Sequence, residues 1–201
     1  MAGLWSAAIF ILVVFCATVS GEPYIGGGRV DHPYDFVQFF DPPEKIWTYL
    51  SSWKADFTCE RHIMKNISGG TVVLQTNFTL NNKKYNYTTK GTLRNVWGRS
   101  SPLNKMSMYD YSGDYLNKEI VYASSNYTCA VLYVERKEGR PSVTFDLLVK
   151  KSQLSEGPSA DCIRNYDENI SARLIGDTNR TVYNEKCRRS KKTRKAHQLA
   201  D

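Results

Sequence analysis

The chain has 201 residues, five cysteines and a formal charge of +7, a length that suits one compact domain and falls short of a comfortable two. The charge is uneven: Arg188, Arg189, Lys191, Lys192, Arg194 and Lys195, set against Asp201, leave +5 on the last fourteen residues and +2 on the rest. That small balance argues against a polyanion-binding body and a nucleic-acid partner, and past the first residues no apolar run is long enough for a membrane span.

Residues 1–21 carry no charge, hold an apolar run over 8–15 and end in Ala17-Thr18-Val19-Ser20-Gly21. The run is too short for a bilayer and the small residues suit a signal peptidase, so 1–21 read as a cleaved secretory leader and the protein as extracellular. Cys16 leaves with it. Cys59, Cys129, Cys162 and Cys187 remain, an even count that points to two disulfides in an oxidising compartment, with three pairings open. No C-x-x-C spacing or histidine cluster supports zinc; His32, His62 and His197 are scattered and read as surface or structural. Asn66, Asn77, Asn86, Asn126, Asn169 and Asn179 each begin an N-x-[ST] sequon, which in an exported chain indicates a glycoprotein with those side chains facing solvent.

Residues 22–42, with Gly26-Gly27-Gly28 and several prolines, read as a loose arm. Pro42-Pro43 then opens a short helix over 44–50, with Pro and Glu suited to its first turn. Beyond Phe57 the period becomes two. Over 71–80, Val72, Leu74, Thr76, Phe78 and Leu80 share one face, and the Asn77 sequon turns the other face to solvent. A turn at 81–84 returns the chain as a strand over 85–90, with Tyr85, Tyr87 and Thr89 inward. Further strands are expected over 93–97, 105–111, 118–123, 127–135 and 142–150, separated by Gly-, Pro- and Ser-rich turns. Ser159 caps a helix from Ala160 to about residue 174, and the basic 188–201 reads as a disordered tail. Seven or eight antiparallel strands followed by a helix make an all-β chain, an up-and-down barrel with the helix outside, and such a barrel has room for one small ligand. An immunoglobulin-like sandwich does not fit the cysteine and tryptophan spacing.

No G-x-S-x-G, Walker, H-E-x-x-H or G-x-G-x-x-G motif is present, and the four cysteines are best used in bridges. Asp110 and Asp114 flank a turn. A non-enzymatic binding protein without cofactor is the expectation.

Asp56-Phe57-Thr58-Cys59, Cys129-Ala130-Val131-Leu132 and the spacing through Cys162 to Cys187 resemble the salivary lipocalins of ticks, the histamine-binding family, over residues 43–187. The resemblance implies an eight-stranded barrel with a short N-terminal helix, a C-terminal helix packed outside, and bridges Cys59–Cys187 and Cys129–Cys162. It implies a monomeric scavenger that sequesters a host mediator: histamine, serotonin, a leukotriene, a fatty acid or a sterol; the family pulls toward histamine or serotonin, while Ala130 and Leu148, in place of a second acid and an aromatic, tilt the expectation slightly to a lipid. The alternative is an immune modulator that binds a host protein through its outer surface, with the basic tail holding an acidic partner or a glycosaminoglycan.

Amine sites of this family use inward carboxylates flanked by rings, since a buried ammonium needs an opposite charge and gains from aromatic faces. The family's pocket acid falls on Asp146, in Asp146-Leu147-Leu148, where Leu148 replaces an aromatic; a second acid, directly after the second cysteine, is Ala130 here. Periodicity alone puts Val143, Phe145, Leu147 and Val149 inward. In the family fold the helix covers that face and Asp146 lines the cavity, which is the expectation adopted. The remaining lining is expected from Trp53, Val72, Leu74, Phe78, Tyr85, Tyr87, Met106, Met108, Leu116, Leu132 and Leu148.

Overall fold

A computed structural model describes residues 33–137, 142–172 and 179–188; the leader, residues 22–32 and the tail from 189 lie outside the described residues. A short helix, α1 (Phe36–Phe40), precedes eight strands: β1 (Lys45–Ser51), β2 (Phe57–Ser68), β3 (Thr71–Leu80), β4 (Lys83–Arg94), β5 (Lys105–Tyr109), β6 (Tyr115–Ala123), β7 (Cys129–Arg136) and β8 (Ser142–Lys150). Helix α2 (Ala160–Ala172), a two-residue strand β9 (Arg180–Thr181) and a 3-10 turn (Glu185–Arg188) follow. Each strand pairs antiparallel with the next, and β1 pairs with both β2 and β8, so the sheet closes into an up-and-down barrel. Closure leaves no long free edge among the described strands.

Three predicted segments are corrected. Residues 44–50 are not a helix but β1, in which Ile46 and Thr48 point into the barrel while Trp47 and Tyr49 pack outside against Tyr183. Burial on both faces erases the alternation that marks a strand. The helix lies earlier, in what reads as an arm. Asp35 caps α1 by accepting from the Val37 amide at 2.7 Å and also accepts from the Leu103 amide at 3.1 Å, and Phe36, Phe39 and Phe40 are buried across one end of the barrel. The strand expected over 93–97 also fails: Leu93 and Arg94 end β4, and Asn95 then organises a turn, its Oδ1 accepting from the Trp97 amide at 2.8 Å and its amide donating to the Pro102 carbonyl at 2.8 Å.

Helix α2 begins at Ser159, whose Oγ accepts from the Cys162 amide at 3.2 Å. It buries Cys162 and Tyr166 against Val131, Phe145, Leu147 and Val149 on the outside of β7 and β8. The oilier face of β8 therefore belongs to the helix, and the alternate residues Thr144, Asp146 and Leu148 face the interior.

Toward the open end β1 and β2 separate, and the C-terminal segment enters the gap. Val182 donates to the Tyr49 carbonyl at 3.0 Å while its own carbonyl accepts from the Cys59 amide at 2.9 Å, so one buried residue bridges both strands. Disulfides Cys59–Cys187 and Cys129–Cys162 hold this segment and α2 to the barrel. They span 128 and 33 residues; loop closure makes them worth roughly 5 and 3–4 kcal/mol.

Candidate functional site

The barrel interior divides into two halves. At the closed end Phe36, Phe40, Ile46, Leu74, Met106, Met108, Leu132 and Leu148 pack around a small residual space, with His62 and Lys118 at its border. At the open end a chamber is walled by Trp53, Phe57, Phe78, Leu80, Tyr87, Tyr111 and Leu116 and carries the charged groups Glu60, Asp110, Lys118, Arg136 and Asp146. Asp110 is occupied locally, accepting from the backbone amides of Ser112 and Asp114; the other four are interior groups.

Register places them. Lys118 stands between Met106 and Val134, Arg136 opposite Leu116, and Asp146 between Leu132 and Ser51, all on the inward parity. Asp146, 4% exposed, accepts from the Ser51 hydroxyl at 2.7 Å. Glu60 accepts from the Thr48 hydroxyl at 2.6 Å and lies 3.7 Å from His62 Nε2; His62 Nδ1 is 2.9 Å from the Thr76 hydroxyl. Burial, reinforced by the Lys118 ammonium and opposed by Asp146, lowers the His62 pKa to about 3, so the ring is neutral at neutral pH. Burial and the Glu60 charge push the Tyr87 hydroxyl well above its usual range, leaving a neutral phenol in the wall.

The cations are less well served. Arg136 lies with its guanidinium carbon 3.8 Å from the Trp53 ring centroid and donates to the Thr144 hydroxyl at 2.9 Å, but its buried Nε has no partner among the described residues. Lys118, 8% exposed, makes no hydrogen bond or ion pair among the described residues, and it lines both halves. Both interior carboxylates hold a hydroxyl donor, while the ammonium between the halves holds nothing. A charge set in an apolar wall gains from an opposite charge brought beside it.

A family model described as tick histamine binding protein matches residues 47–189. The chain belongs to the tick histamine-binding family. Its structural neighbours are lipocalins. The AM182–serotonin complex aligns with a TM-score of 0.56 at 13% identity, covering 81% of this chain and 97% of that one. A bovine odorant-binding protein mutant gives 0.53 at 15%, covering 75% and 97%, and the siderocalin Ex-FABP gives 0.51 at 11%, covering 68% and 89%. No curated protein matches by sequence. The tick histamine-binding family is a ligand-binding rather than catalytic kind of family.

Within this lipocalin, Asp146, Trp53, Phe78 and Tyr87 line the open chamber, and Met106, Met108, Leu132 and Leu148 fill the closed half. Tyr85 is on the rim, 37% exposed, its ring stacked on Phe78 at 5.0 Å. Sequence reasoning missed Glu60, Lys118 and Arg136. The signal for two of them was legible: Lys118 alternates with Leu116 and Ile120, and Arg136 with Leu132 and Val134. Glu60 was hidden, because the register of β2 against β3 shifts between Thr58 and Arg61. Of the sequon asparagines, Asn66, Asn86, Asn126 and Asn179 are exposed, Asn169 is half-buried, and Asn77 is half-buried with its amide nitrogen enclosed and without a partner among the described residues.

Proposed function

We propose that the protein is a secreted, non-catalytic scavenger that sequesters a small acidic lipid mediator, with the carboxylate against Lys118 and the apolar body along Trp53, Phe57, Phe78 and Leu80. The observation that carries this is the unpartnered Lys118 ammonium. A carboxylate ligand supplies the partner that the Lys118 ammonium lacks, whereas a cationic amine would have to draw on Asp146 and Glu60, which already hold hydroxyl donors. Charge-assisted hydrogen bonds of this kind contribute about 1.5–3 kcal/mol each, and burial of the lipid adds ~25 cal/mol per Å². Sequestration needs tight binding and abundance, not turnover, which accords with the family's character.

A biogenic amine is the second reading. It is favoured by Asp146 and Glu60, two carboxylates in an aromatic chamber, and by the serotonin held in the AM182 structure. The two separate cleanly. Protein secreted from eukaryotic cells, extracted and analysed by mass spectrometry, should yield carboxylic lipids, and calorimetry should give micromolar or tighter binding of such an acid. Micromolar histamine or serotonin binding that Asp146→Asn abolishes, with no binding of acids, would replace the first reading by the second.

A further inference from the structure

The segment that fills the gap between β1 and β2 also reaches the wall of the chamber. Residues 180–182 run beside β1, with Leu50 opposite Thr181 and Ser51 opposite Arg180. Arg180 Nε donates to the Trp53 carbonyl at 2.8 Å and Nη1 to the Phe57 carbonyl at 2.6 Å, while the guanidinium carbon lies 4.2 Å from the Phe57 ring centroid. One planar fork therefore spans the loop that joins β1 to β2 and stacks on the first residue after it. Its Nη2 is enclosed, and the group holds two backbone carbonyls and no carboxylate among the described residues. Trp53 and Phe57, their rings 5.3 Å apart, both line the chamber, whereas Arg180 stands behind that wall. Val182, fully buried, completes the packing against Phe57 and Phe78.

The same segment governs the course of β2. Phe57 faces the interior, and so do Glu60 and His62, although three residues of unbroken strand would put Phe57 and Glu60 on opposite faces. The inward parity switches between them, where β2 shifts register against β3 and Cys59 takes a left-handed φ of 55°. This bulge is held from the C-terminal side twice over: the Cys59 amide donates to the Val182 carbonyl at 2.9 Å, and the Cys59 sulfur is bridged to Cys187. The aromatic wall and the inward turn of Glu60 thus depend on residues that do not line the chamber.

We infer that Arg180 is a positioning residue that sets which ligands fit: through the Trp53 and Phe57 carbonyls it fixes the rings on which the apolar body of the ligand lies, while Lys118 takes the charged end. The inference deepens the acidic-lipid reading and rests on it for the choice of ligand. A rigid guanidinium can hold two carbonyls and a ring face at once, and pre-set rings spare the ligand the cost of ordering them. A lysine ammonium keeps the charge but has no planar fork, so charge alone does not replace the arginine.

The test compares Arg180→Lys and Arg180→Gln with the parent, as full secreted protein, in two measurements. One is calorimetry with arachidonic acid and with its methyl ester. The other is the emission of Trp53 without ligand, taken as the difference from the same protein carrying Trp53→Phe. Far-UV circular dichroism checks the fold, and Arg180→Lys, which keeps the charge and most of the stem, serves alone if Arg180→Gln does not fold. The expected result is that acid and ester both bind about three- to tenfold more weakly, by the same factor, so that the preference set by Lys118 survives. Trp53 emission should shift to the red and become more open to acrylamide. Unchanged ester affinity or an unchanged Trp53 spectrum in Arg180→Lys overturns the inference, as does a loss confined to the acid, which would make Arg180 a charge partner of the ligand. If neither compound binds the parent, the acidic-lipid reading fails, and the Trp53 spectrum decides the role of Arg180 by itself.

Discussion

The two halves of the barrel interior are built from the same strands and differ in what they leave unfinished. In the closed half the side chains complete one another: Phe36 and Phe40 from α1 meet Ile46, Leu74, Met106, Leu132 and Leu148, and the remaining space is small and apolar. In the open half four charged groups face inward among aromatic rings, and their pairing is incomplete. The change takes place within a few ångströms, since Leu132 and Asp146 are cross-strand neighbours and Leu148 lies on the same face of β8. Stability and recognition are thus assigned by level along the barrel axis rather than by separate elements, with Lys118 at the boundary.

The division is tested first where the largest effect is expected. Leu132→Ala in the closed half should cost about 2–5 kcal/mol of unfolding free energy in urea, through lost burial and a residual cavity, while the folded fraction binds ligand normally. Lys118→Met should behave oppositely. Carboxylate affinity should fall about 10- to 100-fold by calorimetry, as one charge-assisted hydrogen bond is removed, and stability should change little, because the Lys118 side chain makes no hydrogen bond or ion pair among the described residues that the substitution would break. A variant that loses stability and binding together at either position would dissolve the distinction.

The polar belt between the halves has its own signature. His62 is faced by Lys118, Asp146, Glu60, Thr48 and Thr76, and its pKa of about 3 in the folded protein lies far below the 6.5 of the unfolded chain. The unfolded state therefore binds the extra proton between these values, and stability, complete above pH 6.5, falls as the pH drops toward 3, by up to about 1.4 kcal/mol per unit. Urea unfolding of the parent and of His62→Gln across that window should show a flatter profile for the variant. The smallest effect is expected at Trp53→Leu, which removes the ring beneath Arg136 and should weaken acid binding only a few-fold, in line with about 0.5–1 kcal/mol for a partly exposed cation–π contact.

Much of the fold was legible in the sequence because one face of each strand declares itself. β3 was read to the residue from the alternation of Val72, Leu74, Thr76 and Phe78, and β8 likewise. β1 was misread because both of its faces are buried, and β2 lost its rhythm to two register shifts. The placement of Asp146 needed the family comparison, since periodicity favours Phe145 and Leu147, which the outer helix covers. Lys118 was passed over for a different reason: an inward cation on an apolar face is discounted as solvent-facing unless the sheet is known to close around it.

The most direct test of the account is the affinity difference between a long-chain acid and its methyl ester, such as arachidonic acid and methyl arachidonate, measured by calorimetry on the parent protein and on Lys118→Met. The account predicts that the acid binds the parent about tenfold or more tightly than the ester and that the difference disappears in the variant. Equal affinity of acid and ester for the parent, or a preference for the acid that survives the loss of Lys118, would contradict it.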